Sequence, residues 1–389
     1  MMADTYDVII IGGGIAGVST AFHLTERGCK VAVLERTVVA AAATGRSSGL
    51  VRMHYDLETE SRLAWASFQY FRQWRERVGG ESGFTRTGFV QIVSPDHVEH
   101  LRANVAMHQR IGVPTLLVTA DDVKRLAPDF ATDDFEIAAY EPESGYADPA
   151  STANALMTAA RERGARLMQD CQVTGLKTAG GRVTGVQTPR GEFDAPVIVN
   201  AAGAWAAAVG RMAGVELPVD TWWHEVAFIR RPLAMRAHPA VIDLSNAMYF
   251  RPETGGLTLI GLEDGSQFGD PPDSDADYVG PGFVERAVDR LCRRMPGIDA
   301  GSLASAYRGC DGITPDQRPI MDQVGPEGFY AACGFSGTGF KLGPAIGACM
   351  AEMILDGQAS LVDVSAFTAR RFETGELLKG EHDYQKLWR

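Results

Sequence analysis

Three glycines, at positions 12, 14 and 17, and a carboxylate, Glu35, eighteen residues beyond the last of them, have the types and spacing that hold a dinucleotide. They belong to the run Gly12-Gly13-Gly14-Ile15-Ala16-Gly17. The first glycine permits a tight turn, the second lets backbone approach a pyrophosphate, and the third allows close helix–strand packing. A carboxylate at position 35 can accept hydrogen bonds from a ribose diol. It would repel a 2′-phosphate, which argues against NADP.

The elements that must position these residues are legible around them. Val8-Ile9-Ile10-Ile11 is a short β-branched run and predicts a fully buried strand. A helical pattern follows through His23 and Arg27, stops at Gly28, and gives way to a second strand at Lys30–Leu34. The helix start offers unpaired N–H groups and a partial positive charge to phosphates. Beyond Glu35, the stretch Thr37–Ser48 is built of small residues and ends in a glycine-punctuated polar loop. Such a loop suits backbone that must close around a bulky isoalloxazine.

Composition bounds the remainder. The chain has 389 residues, 45% hydrophobic and 22% charged, which suits two interwoven domains or one large one with an insertion. Its net charge of −12, from 49 acidic and 37 basic residues, argues against nucleic acid as a partner. Six scattered cysteines show no CxxC pair and no metal-ligand spacing, so they read as reduced thiols of a cytoplasmic protein. Asp4 and Asp7 argue against a secretory signal. No apolar run reaches the ~18 residues of a membrane span.

Further along, Glu58–Arg77 predicts an amphipathic helix and Pro95–Arg110 another. Asp148 is expected to cap a helix begun by Pro149, and Gly180-Gly181 to turn a hairpin. Glu192–Trp205 holds a second buried strand, VIVNAAGAW, expected to rejoin the first sheet. Strands dominate from Glu225 to Leu262, then an Asp- and Pro-rich loop runs from Gly265 to Gly280, and Phe283–Arg294 predicts a helix. Gly334–Gly343, GFSGTGFKLG, reads as a loop opening a last helix, Pro344–Leu355.

Across nearly its whole length the chain resembles the D-amino-acid-oxidase-like flavoenzymes, which include glycine oxidase and the monomeric and β-subunit sarcosine oxidases. The resemblance rests on GGGIAG with Glu35, Ala147-Asp148-Pro149, VNAAGAW, Thr314-Pro315-Asp316 with Pro319-Ile320, and above all GFSGTGFKLGPAIG. It implies an α/β fold of the glutathione-reductase type. A Rossmann-like FAD-binding domain (1–83, 144–215 and 300–389) would interleave with an antiparallel-sheet substrate domain (84–143 and 216–299). It also implies FAD, a small carboxylated amine as substrate, and O2 or another acceptor for the electrons, in a homo- or hetero-oligomer.

Carried onto this chain, Lys341 matches the motif's lysine, and Arg52, with Tyr55 nearby, stands where the sarcosine oxidases hold the substrate carboxylate. An arginine fork and a lysine point charge suit that task. His54 and Tyr249 are further pocket candidates. The candidate cofactor contacts are Gly12, Gly14, Ile15, Ala16, Gly17, Glu35 and Arg36; Arg46, Ser47, Ser48 and Gly49; Val173, Ala202 and Gly203; and Gly309, Gly337, Thr338, Gly339, Phe340 and Lys341. Gly309 falls where some sarcosine oxidases carry a flavin-linked cysteine. Cys310 is one residue off, and strand alternation would turn it to the other face, so non-covalent FAD is expected. There is no lysine between Lys177 and Lys341, so the oxygen-activating lysine of the monomeric sarcosine oxidases is missing. An electron-relay subunit, a flavin hydroxylase and an NAD dehydrogenase are the competing readings.

Overall fold

The computed structural model describes residues 4–384. Val8–Ile11 is buried throughout and is flanked by two parallel neighbours, Val31–Leu34 and Val197–Asn200. A central strand covered on both faces has no polar side, hence its unbroken apolar run. Among the described residues the sheet has six strands, in the order Arg166–Met168, Val31–Leu34, Val8–Ile11, Val197–Asn200, Phe329–Cys333 and Ile320–Gln323. Only the last pair is antiparallel. The strand containing VNAAGAW thus rejoins the first sheet, as its sequence predicts.

Helices Ile15–Glu26, Pro149–Glu162 and Gly339–Asp356 cover one face, packing on Val8, Ile10, Val31 and Val33. Ile9, Ile11, Ala32 and Leu34 face the other way, toward Val183, Val186 and Phe193 of a small, mostly antiparallel sheet. The first and last of the three helices meet through small residues. A Cβ on Gly343 would fall 2.3 Å from Ile15 Cγ1, and one on Gly347 2.2 Å from Ser19 Oγ.

A second, larger sheet has nine strands among the described residues and is mostly antiparallel. Its one parallel pair joins Ala240–Asp243 to Phe89–Ile92. Helix Phe283–Arg294, with the bounds its sequence predicts, buries Phe283, Ala287 and Leu291 against Val90, Ile92 and Ile260 on one face. The other face, with Phe89, Tyr249 and Leu259, meets Leu101, Val105 and Tyr384. Asp148 caps its helix by accepting from Ser151 N at 2.6 Å, with Pro149 at the first position. Gly180 and Gly181 take φ of +59° and +80° at the hairpin.

Several boundaries differ from expectation. The helix begun at Glu58 ends at Arg72, and a short one, Trp74–Arg77, follows a break at Gln73 (φ −123°, ψ 36°). Pro95–His97 is a 3-10 turn ahead of Val98–Arg110. The glycine-rich loop is shorter than its composition suggests, because the helix already begins at Gly339 and continues through Pro344 to Asp356. Burial of Phe340 and Leu342 favours helix there. Ser67 repairs the ladder beside the proline: its Oγ donates to Leu342 O and accepts from Ala345 N, both at 2.9 Å. That helix is not the last, since Arg370–Thr374 forms another. Strands Leu116–Thr119 and Gln267–Phe268 were not foreseen. No helix among the described residues is long and apolar enough to cross a membrane.

Candidate active site

Gly12 takes φ +112°, and a Cβ there would lie 2.5 Å from Ala201 O, so only glycine fits. Gly14 precedes the first helix without any side-chain cap, leaving first-turn N–H groups available. One of them, Ile15 N, donates to Thr44 Oγ1 at 3.0 Å. A Cβ on Gly17 would sit 2.1 Å from Gly12 O, which explains the third glycine as a packing residue. Glu35 Oε2 accepts from Gly13 N at 2.7 Å, and Oε1 from Thr37 N at 2.8 Å. Oε1 also accepts from Thr37 Oγ1 at 3.0 Å; a carboxylate oxygen has two lone-pair sites, so Oε2 retains capacity for a ribose hydroxyl.

These residues line one side of a cavity of about 460 Å³. From Glu35 and Arg36 its wall passes Gly12, Gly14, Ile15 and Ala16, with Val173, Ala202 and Gly203 also on it. Arg46, Ser47 and Ser48 continue it, together with Gly309, Gly337, Gly339, Phe340 and Tyr249. A cavity lined by the start of a helix, a carboxylate and glycine backbone has the groups that FAD needs. Gly17, Gly49, Thr338 and Lys341 are not on the wall. Gly49 serves as a tight turn, its φ of +68° bringing it within 2.3 Å (Cβ position) of Ala147 O. Thr338 Oγ1 donates to Phe335 O at 2.6 Å. Sequence reasoning missed Thr44, Trp205, Asp273 and Asp311, all on the wall. Trp205 closes a motif already singled out, and Asp273 lies in the Asp- and Pro-rich loop, so only their roles were hidden.

Gly309 and Cys310 both reach the wall, so alternation does not turn the cysteine wholly away. Its side chain packs with Ala204 and Trp223, and burial pushes the thiol up to about 12. A protonated thiol is a poor nucleophile.

Two buried basic residues, Arg52 and Lys341, lie close to each other off the cavity wall, Lys341 just after Gly339 and Phe340 in the chain. Arg52, 4% exposed, follows the short strand Leu50–Val51 and holds its guanidinium 4.3 Å over the Tyr55 ring. Lys341 is the third residue of its helix, and Nζ donates to Gly337 O at 3.1 Å. Burial, and then the nearby charge of Arg52, lower the Lys341 ammonium to about 7. Asp311 and Glu60 act in the opposite sense. Asp311 Oδ2 accepts from Gly337 N at 2.7 Å, so the Gly337 residue is gripped at both N–H and carbonyl. No ion pair to Lys341 occurs among the described residues. A bound anion would relieve the repulsion between the two cations.

Of the remaining candidates, Tyr249 lines the cavity, and a Cβ on Gly261 opposite it would lie 2.4 Å from its ring, so that glycine makes room for it. Tyr55 is fully buried beneath Arg52. His54 turns elsewhere: Nε2 meets Tyr384 Oη at 2.8 Å, and the ring abuts His108 at 4.6 Å between centroids. Burial, with His108 and Arg52 adding to it, holds His54 well below the usual histidine range, so it is neutral. Arg251, on the same strand as Tyr249, pairs with Glu253 at 2.9 Å. His224 reaches the wall, and burial lowers it to about 4. No cluster able to hold a metal ion occurs among the described residues.

Known proteins share this architecture. Human sarcosine dehydrogenase, a mitochondrial protein, is 31% identical over 95% of this chain and 42% of its own length. The chain therefore spans less than half of that relative. Sarcosine oxidase subunit beta of an Arthrobacter species is 27% identical over 96% of this chain and 93% of its own. The crystal structure of L-proline dehydrogenase from P. horikoshii superposes with a TM-score of 0.90 at 27% identity, covering 97% of this chain and 100% of that one. Residues 7–353 match the family described as FAD dependent oxidoreductase, DAO. With the glycine turn, the cavity and the two buried cations in place, this chain belongs to the DAO family of FAD-dependent oxidoreductases.

Proposed function

We propose that this chain oxidises the C–N bond of a small carboxylated amine, primary, secondary or N-methylated, to an imine that water then hydrolyses. FAD, when bound, supplies the hydride acceptor. Arg52 and Lys341 hold the substrate carboxylate, Tyr55 supports the Arg52 guanidinium, and Tyr249 shapes the pocket wall. The observation that carries this reading is the buried pair Arg52 and Lys341, whose charges repel, with Lys341 next in the chain to the wall residues Gly339 and Phe340. Positive charge in the site also favours the neutral amine over the ammonium, so no strong base is needed. Neutral His54, engaged with Tyr384, fits a structural part better than a base.

The cofactor is held without a covalent bond in this reading, since Cys310 is a buried, protonated thiol. The domain division at 1–83, 144–215 and 300–389 against 84–143 and 216–299 is supported by the two sheets, whose strands fall almost entirely on opposite sides of it. Ser302–Ile313 is the exception: it pairs on the larger sheet while its end lines the cavity. The free cysteines support a reducing, cytoplasmic compartment. The likeness to a sarcosine oxidase β subunit favours a second reading, an FAD-bearing subunit that relays electrons within a hetero-oligomer.

The test is an anaerobic titration of the flavin spectrum with sarcosine, dimethylglycine, glycine, proline and D-amino acids. Bleaching by one of them is expected. Readmitting air then distinguishes O2 from another acceptor by the rate of recolouring. A yellow protein that none of them bleaches would overturn the amine reading in favour of the relay subunit.

A further inference from the structure

Pro272, Asp273, Ser274 and Ala276 of the Asp- and Pro-rich loop Gly265–Gly280 form part of the cavity wall, within a segment spanning residues 270–276. Its two ends are rooted in the larger sheet. At one, Asp270 O accepts from Thr221 Oγ1 at 2.6 Å and Trp223 Nε1 at 3.3 Å. At the other, Asp275 O accepts from Arg308 Nε at 2.8 Å and Ala276 O from Arg308 N at 3.1 Å. Between these roots the attachments pass to the other side of the cavity. Asp273 Oδ1 pairs with Arg36 Nη2 at 2.7 Å, and Oδ2 accepts from Trp205 Nε1 at 3.2 Å. The Arg36 guanidinium lies 4.0 Å over the Trp205 ring, closing a triangle of three side chains. Arg46 makes a similar but looser link, to Ala276 O at 3.1 Å and Asp277 at 3.3 Å.

We propose that this segment is a latch that retains the dinucleotide, with Asp273 as the residue that fastens it to Arg36 and Trp205 beside the Glu35 end of the cavity. The inference rests on the cavity's being the FAD site. Arg36 and Arg46 both line that cavity, so the segment is tied to the same side chains that border the cofactor. Asp273 is 63% exposed and Arg36 37%. An exposed pair of this kind is individually weak and screened by salt. Strong roots with a weak clasp make a segment that opens between Asp270 and Asp275 without disturbing the sheet. Cofactor release passes through that opening, so breaking the clasp acts on the rate of release.

The experiment loads the wild type and Asp273→Ala with FAD and follows release by flavin fluorescence after dilution, at low and at high salt. The expected result is release several-fold faster in Asp273→Ala at low salt. Salt should accelerate the wild type more than the variant, which keeps only the looser Arg46–Asp277 link, and Asp273→Glu should restore slow release. Equal rates in yellow wild type and yellow Asp273→Ala at low salt would overturn the latch while leaving the FAD site intact. A protein that takes up no FAD at all would overturn the site and the latch together.

Discussion

A buried ammonium lowered to about 7 beside a permanently charged guanidinium makes the site's affinity for anions depend on pH. Binding a carboxylate favours protonated Lys341, so affinity is full below about pH 7 and falls as pH rises through it. The fall stops at the higher pKa that the lysine acquires in the complex. Lys341→Met should weaken a carboxylate inhibitor roughly tenfold at low pH, the size of a lost charge-assisted contact, and abolish that pH dependence. Perturbation of the flavin spectrum by the inhibitor measures both. Arg52→Met should raise KM for the amine by roughly tenfold or more, with the pH dependence shifted upward because Lys341 loses its repelling neighbour. The sequence marks Arg52 and Lys341 through the family motifs they stand in, and the structure brings the two together as a buried pair. Asp311, which grips Gly337 opposite Lys341, was not: a lone aspartate in GCDGITPD has no periodicity or spacing to set it apart. His54 misleads for the converse reason, since its partner Tyr384 is remote in sequence.

Helix Gly339–Asp356 connects that chemistry to the core. Its N-terminal residues form the cavity wall, and its next turns press Gly343 and Gly347 onto Ile15–Glu26. Gly347→Ala would bring a methyl within 2.6 Å of Ser19 O, a backbone atom that cannot rotate away. The expected loss is about 1–3 kcal/mol, the usual cost of overpacking, read as a lower melting temperature. Weaker FAD binding should accompany it. Elements with a plain pattern, such as the unbroken apolar run Val8–Ile11 and the amphipathic Phe283–Arg294, could be read directly from their side chains. Leu116–Thr119 could not, because Leu116 and Leu117 stay exposed at the sheet edge and no alternation marks them. Pro344 concealed the true helix start because the repair by Ser67 comes from a different helix.

At the scale of the molecule, buried ion pairs tie distant segments together. Arg318, 2% exposed, pairs with Asp56 at 2.9 Å and with Glu60. Arg371 pairs with Asp316 at 2.7 Å, and Leu378 N donates to the same carboxylate. Arg318→Met would strand two buried carboxylates, at a cost of about 3–5 kcal/mol; a lower midpoint in urea unfolding tests this. None of these partnerships follows from local pattern, since each joins residues far apart in the chain. The order of strands in the six-stranded sheet has a consequence for how the protein is made. Val8–Ile11 and Phe329–Cys333 both flank Val197–Asn200, so the sheet's centre needs three widely separated parts of the chain. During synthesis the glycine turn at residue 12 emerges early, yet its neighbour Ala201 and the wall at Gly337–Phe340 come much later. Folding from the first strands alone can therefore not complete the cradle, and flavin loading has to wait until residues 337–340 have been made. Until then the β-branched strands at 8–11 and 31–34 are exposed apolar edges, the segments a chaperone would be expected to hold.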